Sequence, residues 1–356
     1  MTLKEIPSLR IGSLEINPPI IQGGMGVRVS ISRLAAAVAE EGCAGVIASV
    51  GLGDYENQPA SKFVEVNNDA LRKEIRTARA KSKGVIGVNV MVVLSNYEEL
   101  IKVCVEEDVD MIISGSGLPL DLPKLIEGKD IKLIPIVSSA RALDIICRKW
   151  KQNYNTQPDA VIVEGVMAGG HLGYNMNDII NGTVSTLEVL VTELVDYTSK
   201  MEKPIPVIAA GGIFDGADIV KFLKLGASGV QMATRFVCTD ECDVDIEFKN
   251  AYINVKKEDI VVIKSPVGLP GRVIRNEFVN QISAGAEVPF KCLHHCLRTC
   301  DPKTVPFCIA KVLGDASRGT FNNAFAFAGA NAYRCTEIVS VKTLVNQLKD
   351  EIIENL

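Results

Sequence analysis

His171 is one of three histidines in a chain of 356 residues, and its neighbours make it the first candidate for chemistry. It lies in Val161-Ile-Val-Glu-Gly-Val-Met-Ala-Gly-Gly-His-Leu-Gly-Tyr174. Val161 to Val163 is a β-branched apolar run of the kind that forms a buried strand. Glu164, three glycines and the imidazole follow it. A strand that ends in a glycine-rich loop lets backbone approach a ligand closely, with a titratable group beside it. A tight turn followed by a surface histidine fits the same residues, and the segment alone leaves both accounts open.

A second concentration of reactive side chains is Cys292, Cys296, Cys300 and Cys308, spaced C-x3-C-x3-C-x7-C with His294 and His295 inside. Four thiols so close in sequence could ligate Zn2+ or an iron–sulfur cluster. Against this, x3 is not the x2 spacing of zinc knuckles or ferredoxin motifs, and on a helix the first three would line one face and simply pack. A metal site, a redox-active thiol pair and plain burial are all carried forward. The other six of the ten cysteines (Cys43, Cys104, Cys147, Cys238, Cys242, Cys335) are scattered and read as small buried hydrophobes.

Composition narrows the class. A hydrophobic content of 47% and mean hydropathy of +0.20 exclude a disordered chain. The net charge of -5 gives no reason to expect nucleic acid or an anionic membrane surface as partner. No apolar run approaches the ~20 residues of a membrane-spanning helix. Met1 to Pro7 lacks the apolar core of a signal peptide, so a cytoplasmic protein without a disulfide framework is expected.

The elements that must position these residues alternate regularly. Pro18 to Gly26 reads as a strand running into a glycine loop, and Ser30 to Glu41 as a helix with Ser30 or Ser32 as N-cap. Further strands are expected at Ala44–Ser49, Val85–Met91, Asp110–Ile113, Lys132–Val137, Ala160–Val163, Pro206–Ala209 and Gly229–Met232. Helices are expected at Asp69–Lys81, Asn96–Glu106, Leu120–Ile126, Ser139–Trp150, Thr183–Ser199 and Asp215–Leu225, with a polar loop over Gly51–Asn68. Eight strand–helix alternations imply parallel strands with helical crossovers, and the count favours a closed α/β (β/α)8 TIM barrel over an open sheet. Gly23-Gly-Met-Gly26 is also not the G-x-G-x-x-G of a dinucleotide-binding sheet.

Polar or glycine residues end nearly every strand: Gln22, Asn89, Ser114, Ser138, Glu164, Gly211 and Gln231. In a barrel these converge on one mouth, which favours an enzyme over a scaffold. Gly211 and Gly212 after the seventh strand and Thr234 after the eighth suit a phosphate site built from backbone N–H groups. Two ordinary tight turns are the alternative. The expected division is a barrel over 1–238, a smaller lid region over 239–335 that contains the cysteine-rich 291–308, and a C-terminal helix over 336–356. Within the lid, Val261–Ile263 reads as a strand, Gly268–Asn276 as a loop leading into a helix to about Ser283, and 286–310 as irregular.

Several segments together resemble the FMN-dependent nitronate monooxygenase family, formerly the 2-nitropropane dioxygenases, which is related to the flavin-type enoyl-acyl carrier protein reductases. They are Ile21-Gln-Gly-Gly-Met-Gly26, Gly87-Val-Asn-Val90, Glu164-Gly165, Ala168-Gly-Gly-His-Leu-Gly173, Ala209-Ala-Gly-Gly-Ile213, Gln231-Met-Ala-Thr-Arg-Phe236 and Ser265 to Asn276. The resemblance implies an FMN-binding TIM barrel with a lid. It implies that Gly24, Met25 and Gly26 lie under the flavin ring with Asn89 at its polar edge. Glu164 and Ala168 would line the ribityl side, and Gly211, Gly212, Ala233 and Thr234 the phosphate, with Gly170 and Gln231 in the same cofactor site. Ala233 departs from the family's Gly-Thr, which is tolerable unless the position needs φ > 0.

His171 matches the family's active-site histidine, able as imidazole to accept a proton from a substrate carbon or as imidazolium to hold a nitronate oxygen. The implied reaction is oxidation of an alkyl nitronate with O2 to a carbonyl compound and nitrite. The same barrel also serves NAD(P)H-dependent enoyl and quinone reductases, with NAD(P)H as co-substrate, and a non-catalytic flavin- or metal-binding component is the reading from another class. The expected partners are a small-molecule substrate and, as an open alternative, a second copy of the chain.

Overall fold

The β-branched runs pair edge to edge in parallel, as their alternation with helices requires. The computed structural model describes residues 5–54, 58–126, 128–292 and 294–356. Its barrel strands are β1 (Ile20–Gln22), β2 (Gly45–Ala48), β3 (Ile86–Met91), β4 (Met111–Gly115), β5 (Lys132–Val137), β6 (Val161–Glu164), β7 (Val207–Ala210) and β8 (Gly229–Met232). Each pairs with its sequence neighbour from β2 through to β8, and β8 returns to β1 in register Gln231 to Ile21. A parallel bridge between Ile21 and Ala44 closes the ring. The Gln22 amide donates to Ala44 O at 2.9 Å, and the buried Gln22 Oε1 accepts from the Val46 amide at 3.1 Å. The expected eight-stranded barrel is the observed fold.

The crossovers are α1 (Ser32–Glu40), α2 (Phe63–Lys81), α3 (Tyr97–Glu106), α4 (Leu122–Ile126), α5 (Ala140–Tyr154), α6 (Met176–Asn181), α7 (Leu187–Ser199), α8 (Gly216–Lys224) and α9 (Thr234–Val237). Ser139, Thr186 and Asp215 cap α5, α7 and α8 through their side-chain oxygens. Two expectations are corrected. Neither Ser30 nor Ser32 caps α1: Glu74 of α2 accepts from the Ser32 amide at 2.9 Å, while Ser30 Oγ accepts from the Met25 amide at 2.8 Å and ties down the glycine loop. And α2 starts six residues before the expected Asp69, because Phe63 and Asn67 are buried and anchor its first turn. Part of the expected Gly51–Asn68 loop, residues 55–57, lies outside the described residues.

The lower barrel is filled, not open. Ile21, Val46, Met111, Ile113, Ile134, Ile162 and Ile208 point inward and pack against Leu9, Ile11 and Ile16 of an N-terminal hairpin that plugs the end opposite the mouth. A Cβ on Gly229, at the start of β8, would lie 3.0 Å from the Leu9 side chain, which places the plug at the strands' N-terminal ends.

The other end is covered by α10 (Ile246–Ile253), the antiparallel pair β9 (Ile260–Lys264) and β10 (Pro270–Ile274), α11 (Glu277–Ser283) and α12 (Ile309–Ser317). β10 falls within the Gly268–Asn276 stretch expected as loop. It is fully buried, and the pairing with β9 makes it a strand. α12 was not expected at all. Phe278, Phe307 and Phe325, with ring centroids 5.7 to 6.2 Å apart, form the lid's own core. α13 (Val341–Asn355) returns to the barrel, where Glu351 accepts from the Gly216 amide at 2.7 Å.

Because Ile11 is fully buried in the plug, Ile11→Ala should lower stability by about 2–5 kcal/mol, read as a lower denaturant midpoint at unchanged slope. A shift of under about 0.5 kcal/mol would show that the hairpin is dispensable.

Candidate active site

One cavity of about 600 Å3 opens between the strand ends and the lid. That is well within the size range of cofactor and small-molecule sites. Every residue expected at a flavin lines it. Gly24, Met25 and Gly26 come from the loop after β1, Asn89 from β3, Glu164 from the end of β6, and Ala168, Gly170 and His171 from the loop beyond it. Gly211 and Gly212 follow β7, Gln231 lies in β8, and Ala233 and Thr234 lead into α9.

The glycines are there because nothing larger fits. A Cβ on Gly24 would stand 2.4 Å from the Asn89 Cβ. Gly211 and Gly212 have φ of +95° and +85°, a conformation that side chains other than glycine's resist, so the turn after β7 needs both. Ala233, where the resemblance anticipates glycine, has φ of -126°, and its methyl is therefore accommodated. Asn331 from the lid side donates to Gly212 O at 2.6 Å and fixes this turn.

The donor set fits a polar cofactor. Gln231 Oε1 is buried with no hydrogen-bond partner among the described residues, yet Gln231 lines the cavity, so a ligand donor would satisfy it. Glu164 is desolvated at the cavity wall, and burial raises its carboxyl to about 7, which keeps it largely protonated in mildly acidic solution. Tyr174 donates its hydroxyl to Glu164 O at 2.6 Å.

His171 is held from two sides. With Gly170 it forms a short third strand on β10, in register Gly271 to His171 and Arg272 to Gly170. Its Nε2 lies 2.7 Å from Ser265 Oγ, and Phe327 meets its ring edge-on at a centroid distance of 4.9 Å. Burial pushes the imidazole down to about 4. With that shift the ring is uncharged at neutral pH and can act as a neutral donor or as a base. Arg272, itself buried, donates to the carbonyls of Val166 and Ala168, the latter at 2.7 Å, and so clamps the loop. Ser265, Arg272 and Phe327 were not singled out as site residues from sequence. Their contacts with the His171 loop span about a hundred residues or more, and no local spacing encodes them.

The expected metal ligands are corrected too. Cys292, Cys296, Cys300 and Cys308 carry free thiols, and among the described residues no three His, Cys, Asp or Glu side chains are grouped so as to hold a metal ion. The described residues of the segment form no helix presenting one cysteine face. They run along the loop after β3, with Leu297 bridged to Leu94 and the Arg298 amide donating to Val93 O at 2.8 Å. Cys296 alone of the four lines the cavity, with burial first and the neighbouring cysteines second raising its thiol to about 12.

A closed parallel barrel with a lidded cavity at the C-terminal ends of its strands is the architecture of a barrel enzyme. The profile of the family described as nitronate monooxygenase matches residues 8–351, and the chain belongs to that family, whose enzymes are flavin oxidoreductases that typically bind FMN. A probable nitronate monooxygenase of Staphylococcus aureus strain MSSA476 is 30% identical over 310 residues, 76% of this chain and 79% of that one. A (3aS,4S,5R,7aS)-5-hydroxy-7a-methyl-1-oxo-octahydro-1H-indene-4-carboxyl-CoA dehydrogenase of Rhodococcus jostii is 28% identical over 267 residues, 75% of this chain and 65% of that one. Among solved structures, FabK from Thermotoga maritima superposes with a TM-score of 0.75 at 31% identity, covering 94% of this chain and 93% of its own. A nitroalkane oxidase of Streptomyces ansochromogenes shares the fold, with a TM-score of 0.74 at 22% identity over 95% and 96% of the two chains. No helix among the described residues is long and apolar enough to cross a membrane.

Two pH effects follow. A neutral His171 should stay neutral down to about pH 4, so an NMR titration of its ring should find the midpoint near 4, and a midpoint of 6 to 7 would contradict its burial. Because that value lies below the unfolded one, the stability it contributes is lost as pH falls from about 6.5 towards 4. Glu164 has the opposite sign: its raised value means stability lost as pH climbs from 4.5 to about 7. Glu164→Gln should therefore gain on the wild type between pH 5 and 7 in thermal melts, whereas a constant difference would mean that the carboxyl ionises normally.

Proposed function

We propose that the protein is an FMN-dependent oxidoreductase of nitronate monooxygenase type. The observation that carries this reading is the single cavity in which the close-approach glycines, the orphaned Gln231 Oε1 and an uncharged His171 meet. In this reading Gly24, Met25 and Gly26 support the flavin ring and Asn89 meets its polar edge. Glu164, Ala168 and Gly170 line the ribityl side, Gly211, Gly212, Ala233 and Thr234 hold the phosphate, and Gln231 accepts from the cofactor. FMN, when bound, supplies the electron transfer and O2 chemistry that convert an alkyl nitronate into a carbonyl compound and nitrite. The chain's own part is to bind the substrate beside the cofactor, exclude water and meet the reacting group with His171.

A second reading has its own observation. Beyond the cofactor residues the cavity continues between Leu94, Leu100, Leu118, Leu297, Ile309 and Leu313. An apolar wall of that extent exceeds what a small nitronate fills and suits a bulky apolar substrate. An NAD(P)H-dependent reductase of enoyl thioesters or quinones would use it.

Anaerobic titration of the purified protein separates the two. Flavin absorbance that changes with propyl-2-nitronate and not with NADH supports the monooxygenase; bleaching by NADH alone supports the reductase, and absence of flavin would sink both. His171→Ala should cut turnover about 100-fold or more while flavin stays bound. Loss of the flavin with the side chain would make the histidine structural.

A further inference from the structure

The His171 ring has two nitrogens, and among the described residues only one has a hydrogen-bond partner. Nε2 lies 2.7 Å from Ser265 Oγ, in the turn that joins β9 to β10. That turn is closed by the Ser265 amide donating to Leu269 O and the Gly268 amide donating to Ser265 O, each at 3.0 Å, so Ser265 is fixed in place. It is only 2% exposed, so its hydroxyl must find partners within the protein. The Val267 amide approaches Oγ at 3.5 Å and takes up a lone pair, not the proton. Among the described residues the hydroxyl proton then has a single acceptor in reach, His171 Nε2. If Nε2 carried its own hydrogen, the Ser265 proton would be buried without an acceptor, which is the costly arrangement.

We propose that Ser265 is a positioning residue: by donating its hydroxyl to Nε2 it holds His171 as the Nδ1–H tautomer, so that the ring offers the cavity a hydrogen-bond donor and not a base. Nδ1 has no hydrogen-bond partner among the described residues, and His171 lines the cavity, so Nδ1 is the nitrogen left for a ligand. Turning the ring over would break the Ser265 bond, while the edge-on Phe327 ring keeps the imidazole plane and pairing to Gly271 fixes the backbone below. A neutral N–H donor suits an oxygen that carries negative charge, as the oxygens of a nitronate do. It does not remove a proton from carbon, so the substrate arrives already ionised. That consequence rests on the flavin oxidoreductase reading; the tautomer does not.

The test is the 15N spectrum of the histidine-labelled full-length protein, whose three histidines are sorted by comparison with His171→Ala. The wild type should show His171 with a protonated-type Nδ1 and an unprotonated-type Nε2. Ser265→Ala should lower the ratio of Nδ1–H to Nε2–H forms about tenfold or more, and Ser265→Thr, which keeps the hydroxyl, should restore it. An Nε2–H ring in the wild type, or a ratio unmoved by Ser265→Ala, overturns the proposal. Should Ser265→Ala fail to fold, the wild type and Ser265→Thr decide. Flavin content, measured on the same samples, bears on the cofactor reading alone, so the two fail separately.

Discussion

The arrangement depends on how one loop, the stretch between β6 and His171, is held. A glycine-rich strand end has little side-chain packing of its own and would not keep an imidazole in one place. Here it becomes the third strand of a small sheet whose other two strands belong to the lid. Arg272 completes the attachment with a guanidinium buried against the carbonyls of Val166 and Ala168. Burying a cation is expensive, and with no ion pair to Arg272 among the described residues burial holds it below its usual range. Its Nη1 donates to both carbonyls of the one loop, and these two bonds offset part of that cost.

The same loop also supports the opposite wall of the cavity. A Cβ on Gly211 would lie 2.9 Å from Gly165 O and 3.2 Å from the Ala168 Cβ, so the turn after β7 rests directly on the segment that Arg272 clamps. Gly329 of the lid is equally close to Thr234, since a Cβ there would stand 2.6 Å from Oγ1, and the Ala330 amide donates to Met167 O at 3.0 Å. Lid, β6 loop and β7 turn are therefore one packed unit. Displacing the lid would disturb the histidine and the phosphate-type turn together.

How much of this the residues announce depends on the range of the interaction responsible. The eight strands are legible because each is a short, largely apolar run, and the helices between them alternate at the spacing parallel crossovers demand. The strand-end residues are legible as a group for the same reason: once the barrel is inferred, Asn89, Glu164, Gly211 and Gln231 must share a mouth. What stays hidden is set by pairing over long separations. β10 has the prolines and glycines of a loop and becomes a strand only because β9 and Gly170–His171 flank it. Ser265 is an unremarkable polar residue until the fold places it 94 positions away from its partner. The cysteine spacing signalled proximity correctly but not ligand geometry, because backbone pairing to the β3 loop, not helix periodicity, decides where those thiols go.

The electrostatics of the cavity narrow the chemistry further. Desolvation acts on its two central titratable groups in opposite directions and with one result: it keeps His171 unprotonated and raises Glu164 towards the protonated form. Between about pH 4 and 7 neither is charged to any large extent, and the wall around them is apolar from Leu94 to Leu313. Among the described residues no lysine or arginine lines the cavity to bind an anion. Negative charge, on a phosphate or on a substrate oxygen, must be met by dipoles: backbone N–H groups at the turns after β7 and β8, and the N–H of a neutral imidazole. Such donors are already oriented and need little reorganisation as charge appears, which in a dry cavity is worth more than the same groups in water. Ser265 enters that account because it decides which of the two imidazole nitrogens carries the dipole's positive end.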